Sequence, residues 1–201
     1  MPLVMPRARS DAVPMAQAAT LYRMQVEVSD VDRGVYETLD LRVARHPSEG
    51  EERVVARVLA YALFCEPGLE FGKGLSEADE PALWTHDLTG QLMHWIDVGT
   101  PGADRIHIAS KKARKVSILC HKVPEALTRE MQKRKVHGAS DITVLYVEPA
   151  LVASLAAELD RNATWTIVHT DGELSITLND VTFSGSVTRS ALPQPSLARH
   201  E

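Results

Sequence analysis

The sequence predicts a single α/β domain whose central mixed β-sheet is flanked by helices and carries additional β-hairpins. Three observations support this. Continuous apolar stretches that read as buried strands alternate with amphipathic helical stretches. Segments of period-two alternation, paired across short turns, stand towards both ends of the chain. No internal repeat, low-complexity block or domain-sized linker divides its 201 residues, a length that suits one sizeable core.

Taken in order, LYRMQVEVSD and YETLDLRVARH alternate apolar and polar residues around a turn at Asp32-Arg33-Gly34 and read as two strands. HPSEGEERVVARVLAYALF predicts a helix. Ser48 is placed as its N-cap and Glu51 as the partner in a capping box, with Val54, Val55, Val58, Leu59 and Ala62 as one apolar stripe. Asp87-Leu88-Thr89-Gly90 reads as the turn of a β-hairpin with arms near 80–86 and 91–98. Helices are expected over Asp104 to Lys115, PEALTREMQKRK and PALVASLAAEL, the last with Pro149 in its first turn. KVSILCH and DITVLYVE are the buried strands between them. TWTIVHTDGELSITL is a hairpin around Asp171-Gly172, followed by VTFSGSVT. The expected order is ββ-α-ββ-α-β-α-β-α-ββ, with the hairpins at the margins of the sheet. Residues 1–18 and 193–201 are expected to be flexible extensions of a domain spanning 19–192.

Composition narrows the function classes. Hydrophobic residues make up 44% and charged residues 24%, a globular balance. A net charge of -5 argues against global attraction to nucleic acid, so such binding would need a local basic patch. The two cysteines, Cys65 and Cys120, sit in apolar runs and suit a reducing cytoplasm better than a disulfide framework. No apolar run approaches the roughly 18 residues of a membrane span, and the N-terminal stretch is broken by Pro6, Arg7, Arg9, Asp11 and Pro14, so a cytoplasmic protein is expected.

The hairpin carries the candidate chemistry. With Asp87 to Gly90 as its turn, the register pairs 84 with 93 and 82 with 95, and places Glu80 opposite Asp97. Directly opposed side chains share a face roughly 5 Å apart at Cβ, and two like charges there call for a compensating cation. Asp79 adds a third carboxylate, and Trp84, Met93 and Trp95 mark the same face as the core face. Equally, Asp79 and Glu80 could simply begin a strand and project into water, and a one-residue slip would move the pairing. In the preceding helix, Glu51 is taken up by the capping box and Glu49 points away from the apolar stripe. Glu52 flanks that stripe and is either a further ligand or a favourable acid near a helix N-terminus.

Basic residues cluster at Arg105, Lys111, Lys112, Arg114 and Lys115, and again at Arg129, Lys133, Arg134 and Lys135. Either group could meet phosphates, and either is also what a solvated helix face looks like. Lys111 or Lys112 is the more interesting, because its helix directly follows the Asp97 strand and an ammonium there could steady developing negative charge. The eight histidines have no metal-ligand spacing. The absence of a Gly-rich phosphate loop, a nucleophile elbow and a Cys-x-x-Cys pair makes Ser/His or Cys/His catalysis a poor expectation.

RHPSEGEERVVARVLAYALF, GLSEADEPALW, DLTG and WIDVGTPGADRI together resemble the YaeQ family of bacterial proteins, over a span from about Ala19 to about Leu192. The resemblance implies a variant of the restriction-endonuclease-like, PD-(D/E)XK nuclease fold. It gives Glu52 the role of the helix acid, Asp79 or Glu80 that of the first strand acid, and Asp97 that of the second. The general nuclease pattern has a lysine two residues after that acid, where this chain has Gly99. A basic residue is common in the family where this chain has Ile108, and Lys111, one turn on, is the candidate replacement. The implied activity is a Mg²⁺- or Mn²⁺-dependent nuclease. Glu52, Asp79, Glu80 and Asp97 would hold the metal, Lys111 would support the transition state, and nucleic acid would be the partner. The alternative is a catalytically inactive relative that binds nucleic acid or protein.

Overall fold

The computed structural model describes residues 19–73, 79–136 and 138–193, so the expected extension 1–18 and the tail from 194 lie outside the described residues. Strands β1 (Thr20–Asp30) and β2 (Val35–Arg45) are followed by helix α1 (Glu51–Leu63). Next come β3 (Glu70–Phe71), β4 (Leu83–His86), β5 (Leu92–Val98), helix α2 (Ala103–Lys112), β6 (Lys115–Cys120) and helix α3 (Pro124–Met131). A 3-10 turn at Ala139–Asp141 leads to β7 (Thr143–Val147), helix α4 (Pro149–Ala157), β8 (Asn162–Thr170), β9 (Glu173–Leu178) and β10 (Val181–Ala191).

All ten strands join one mixed sheet in the order β2-β1-β8-β9-β10-β7-β6-β5-β4-β3, large, nearly closed and barrel-like, accompanied by four helices. β1 runs parallel to β8, β5 to β6 and β6 to β7, and the other neighbours are antiparallel. The expectation of hairpins only at the margins is therefore corrected. β1–β2 lies at one edge and β3–β5 towards the other, but β8–β9–β10 fills the middle. β10 joins the two halves, pairing with β9 through Val181–Ser186 and with β7 through Val187–Ala191.

The period-two pattern of β1 does what period two must. Tyr22, Met24, Val26 and Val28 are buried, and Arg23, Gln25 and Glu27 are exposed. Helix α1 lies inside the curl, touching β1 and β2 from one half, β4 and β5 from the other, and α4. Val54, Val55, Val58, Leu59 and Ala62 are fully buried there, as the helical stripe predicts. A second core, around Trp95, Ile106, Ile118, Leu127 and Val144, fills the other face of the parallel strands. No helix among the described residues is long and apolar enough to cross a membrane.

The start of α1 departs from expectation. Its N-cap is Gly50, and Ser48 instead stands 2.7 Å from the His46 Nδ1. Glu51 pairs with Arg45 at 2.9 Å instead of closing a capping box. Glu49, expected to point away, is buried: its carboxylate accepts from the His46 backbone N–H and from the Arg57 guanidinium at 3.3 Å. A buried ion pair outweighs the local capping preference because Arg57, itself buried and pushed down in pKa by desolvation, has no other carboxylate within reach among the described residues. Glu49→Gln is expected to lower the unfolding free energy by about 3 kcal/mol, because the guanidinium would be left in the core without a counter-charge. Urea unfolding of the variant checks this, and a change below about 1 kcal/mol counts against it.

Candidate functional site

The predicted hairpin forms, but its register differs. The ladder is offset by one residue at the turn, where His86 faces Leu92, and by a second at a bulge between Thr85 and His86, so that Trp84 faces Trp95 and Leu83 faces Ile96. β4 begins only at Leu83, so Glu80 precedes the strand and does not stand opposite Asp97. Two offsets of one residue each leave Trp84 and Trp95 on a common face but move every partner along the strand, and sequence periodicity cannot foresee either. Trp84 and Met93 are accordingly half-buried, whereas Trp95 and Asp97 are buried.

The acids nonetheless meet elsewhere. A cavity of about 960 Å³ opens between the N-terminus of α1, the C-terminal ends of the parallel strands β5 and β6, and α4. Glu52, Glu80 and Asp97 line it, together with Arg53, Arg105 and Lys122. The end of β5 delivers Asp97, α1 delivers Glu52 and Arg53, and the residues just past β6 deliver His121 and Lys122. The crevice beyond the carboxyl ends of parallel strands is where open α/β sheets bind ligands.

Each acid is already matched to a cation. The Arg105 guanidinium grips Asp97 at both oxygens, Nε to Oδ2 and NH2 to Oδ1, each at 2.8 Å. Trp95 Nε1 donates to the same Oδ2 at 2.9 Å, and Arg105 also donates to the Glu80 carbonyl at 2.7 Å. The guanidinium carbon lies 5.3 Å from the Trp95 ring centroid, so charge pairing and ring contact fix one rotamer. Lys122 Nζ donates to Glu52 Oε2 at 2.8 Å, and this bond and charge hold the Glu52 carboxyl below its ordinary range. Glu80 is lowered mainly by the Lys73 backbone N–H at 3.1 Å, with the Lys73 ammonium at 3.2 Å. No group of three His, Cys, Asp or Glu side chains placed to hold a metal ion occurs among the described residues.

The other candidates lie apart. Asp79 faces a smaller depression with Trp95, Arg105 and Ile108 and does not line the main cavity. Lys111 is exposed in the last turn of α2 and does not line the cavity either. Gly99, which stands where the nuclease pattern has lysine, has φ +95°, and a Cβ there would lie 3.7 Å from His121 Cε1 and 3.8 Å from Arg53 NH1. A lysine at this position would adopt a strained backbone and start beside a guanidinium.

Sequence reasoning passed over His121, Arg53 and Lys122, and named Arg105 only within a basic cluster that could meet phosphates. His121 is 5% exposed, and its buried Nδ1 has no hydrogen-bond partner among the described residues. Burial, reinforced by the Lys122 charge, pushes its pKa down to about 4, so the ring is neutral at pH 7. The available signal was positional: Arg105 and Lys122 each follow a strand end, with Arg105 in the helix after Asp97 and Lys122 two residues past β6.

A second cluster has the pattern of a hydrolytic triad. His94 Nδ1 stands 2.7 Å from Glu66 Oε1, and its Nε2 2.9 Å from Ser117 Oγ. Thr85 Oγ1 also donates to Glu66, at 3.3 Å. Ser117 is fully buried, so no substrate carbonyl can reach its Oγ. Burial pushes the His94 pKa down despite the Glu66 carboxylate, and the chain of bonds satisfies polar groups inside β4–β6.

Comparison with known proteins agrees with this architecture. The family model described as YaeQ protein matches residues 15–186. The YaeQ proteins of Salmonella typhi and of Escherichia coli (strain K12), both named as uncharacterized, are each 32% identical over 183 residues, covering 90% of this chain and 100% of theirs. The crystal structure of the YaeQ protein from Xanthomonas axonopodis pv. citri superposes with a TM-score of 0.79 at 31% identity, covering 89% of this chain and 100% of that one. The crystal structure of the YaeQ protein from Pseudomonas syringae gives 0.78 at 32% identity, covering 85% and 95%.

Proposed function

The chain belongs to the YaeQ family, and from that premise we propose that the cavity between α1, α4 and the ends of β5 and β6 binds a phosphodiester of a nucleic acid. The observation that carries this is the convergence of Arg53, Arg105 and Lys122 on one cavity, each held by an acid or a carbonyl. A phosphodiester entering there exchanges with the carboxylates: Lys122 turns from Glu52 towards a phosphate oxygen, and Arg53, whose NH1 is bonded to the Val98 carbonyl and whose Nε faces Glu49, offers its NH2 as a second donor. Neutral His121 offers an acceptor or a single N–H beside them without adding repulsion. The same reading assigns the fold to the restriction-endonuclease-like group. In its support, a helix acid precedes a hairpin whose second strand carries Asp97, followed by α2 and a parallel strand.

A second reading, cleavage of the phosphodiester with Mg²⁺ or Mn²⁺, is favoured by one observation: Glu52, Glu80 and Asp97 line the same cavity. In this arrangement the three do not fit a lone cation, because Arg105 occupies both oxygens of Asp97 and Lys122 and Lys73 hold the other two acids. Calorimetric titration separates the readings. Under the binding reading, Mn²⁺ alone gives no saturable heat with the parent protein, and a single-stranded oligonucleotide binds equally in Mn²⁺ and in chelator. Saturable Mn²⁺ binding that is lost in Glu80→Gln/Asp97→Asn would overturn the first reading and establish the cation site, and a cleavage screen on DNA and RNA would follow.

A further inference from the structure

The outer surface of the β1–β2–β8 region carries a group of cations that the cavity does not use. Arg23 of β1 stands directly opposite Arg42 of β2 in the antiparallel ladder. On its other side Arg23 is paired with Asn162 of β8, and its backbone N–H donates to the carbonyl of Arg161 at 2.8 Å. Two surface hollows of about 470 and 520 Å³ share Arg23 and Asn162 in their linings, one adding Arg42 and the other Arg161.

All three arginines are exposed, and among the described residues none of their guanidiniums makes an ion pair or hydrogen bond. Asp40 lines the same hollow as Arg42 and lies on the same face, yet it pairs with neither arginine. Like charges directly opposed across a ladder destabilise a sheet unless an anion sits between them. Neighbouring strands lie about 4.8 Å apart, so Arg42, Arg23 and the start of β8 present donors in a row about 10 Å long. Guanidinium forks and an amide in such a row suit phosphate oxygens along a backbone.

The placement connects this row to the cavity. Arg161 follows Ala157, which lines the cavity at the end of α4, by four residues. At the end of β2, Arg45, three residues on from Arg42 and on the strand's other face, pairs with the cavity residue Glu51, so the path from the row to the cavity passes around the end of the β1–β2 ladder. Resting on the phosphodiester reading of the cavity, we propose that Arg23, Arg42 and Arg161, with Asn162, form a second phosphate-binding site. It takes the backbone of a single nucleic-acid strand that continues beyond the cavity.

The test is fluorescence anisotropy of a fluorescein-labelled oligothymidylate, titrated with the full chain across a series of salt concentrations. The variants are Arg23→Gln/Arg42→Gln and, separately, Lys122→Gln. The double variant is expected to bind about tenfold more weakly, with a log-log salt slope shallower by about 1.4, since each single-strand phosphate that an arginine neutralises accounts for about 0.7. Its Tm is expected to equal or exceed that of the parent, because an opposed like-charge pair is gone. Unchanged affinity and slope in the double variant overturn the outer site. Weakening by Lys122→Gln alone overturns it too and leaves the cavity reading standing. Weakening by both variants supports a path from the cavity to the outer row, whereas weakening by the double variant alone overturns the cavity reading and with it a strand that continues beyond the cavity.

Discussion

Replacing Arg105 with methionine is expected to lower the unfolding free energy by about 3 kcal/mol and to change the fluorescence of Trp95. The cause is the carboxylate, not the arginine. Asp97 is 2% exposed, and among the described residues both its oxygens rely on Arg105, with the Trp95 N–H in addition. Removing one partner of a buried pair leaves an uncompensated charge, a loss of about 3–5 kcal/mol. The lower end applies because the Arg105 side chain is 30% exposed and water partly screens the pair. Asp97→Asn in the Arg105→Met background is expected to restore about 2 kcal/mol, since the neutral amide no longer needs a counter-ion. Urea unfolding of the two single variants and the double variant measures this coupling. An additive cycle would mean that Arg105 acts through contacts other than Asp97, such as the Trp95 ring and the Glu80 carbonyl.

The second large effect is on acid stability. His121 has a folded pKa of about 4 against an ordinary 6.5, so the folded state favours the neutral ring. A group lowered in this way contributes stability that is fully present above pH 6.5, shrinks as the pH falls towards 4, and is gone below it. A shift of that size corresponds to at most about 3 kcal/mol. His94, also lowered by burial, acts in the same direction. Unfolding free energy should therefore be level between pH 7 and 8 and fall by a few kcal/mol between pH 6.5 and 4.5. The variant His121→Gln should lose most of that slope and keep the part due to His94. An equal slope in the variant would show that the His121 ring reaches water in the folded protein.

How far the sequence reaches can be judged from particular residues. Alternation in β1 and the 3.6-residue stripe of α1 placed Tyr22, Met24, Val54 and Leu59 inside, because burial of one face is a local property of the pattern. Glu52, Glu80 and Asp97 were recognisable as candidates and do share one cavity. The route to that cavity was not legible. The bulge at Thr85 and His86 breaks the hairpin ruler, and the cations that answer the acids come from distant positions, as Lys122 does for Glu52. Glu49 looked like a solvated first-turn acid, and only the folded chain reveals Arg57 waiting in the core. The parallel pairing of β1 with β8 likewise leaves no local trace, since it joins Arg23 to Asn162 across most of the chain.

The position of β10 sets the order in which this molecule can be assembled during synthesis. Its residues are among the last of the domain to leave the ribosome, yet they lie in the middle of the sheet, between β9 and β7. Until they emerge, β9 and β7 each present an unpaired edge, and the half built on β1, β2, β8 and β9 has no strand joining it to the half built on β3 to β7. A nascent chain that stalls before Val181 is therefore a sticky two-part intermediate that invites pairing with a neighbour on the same messenger. Emergence of β10, not of any earlier segment, is the event that joins the two halves of the sheet.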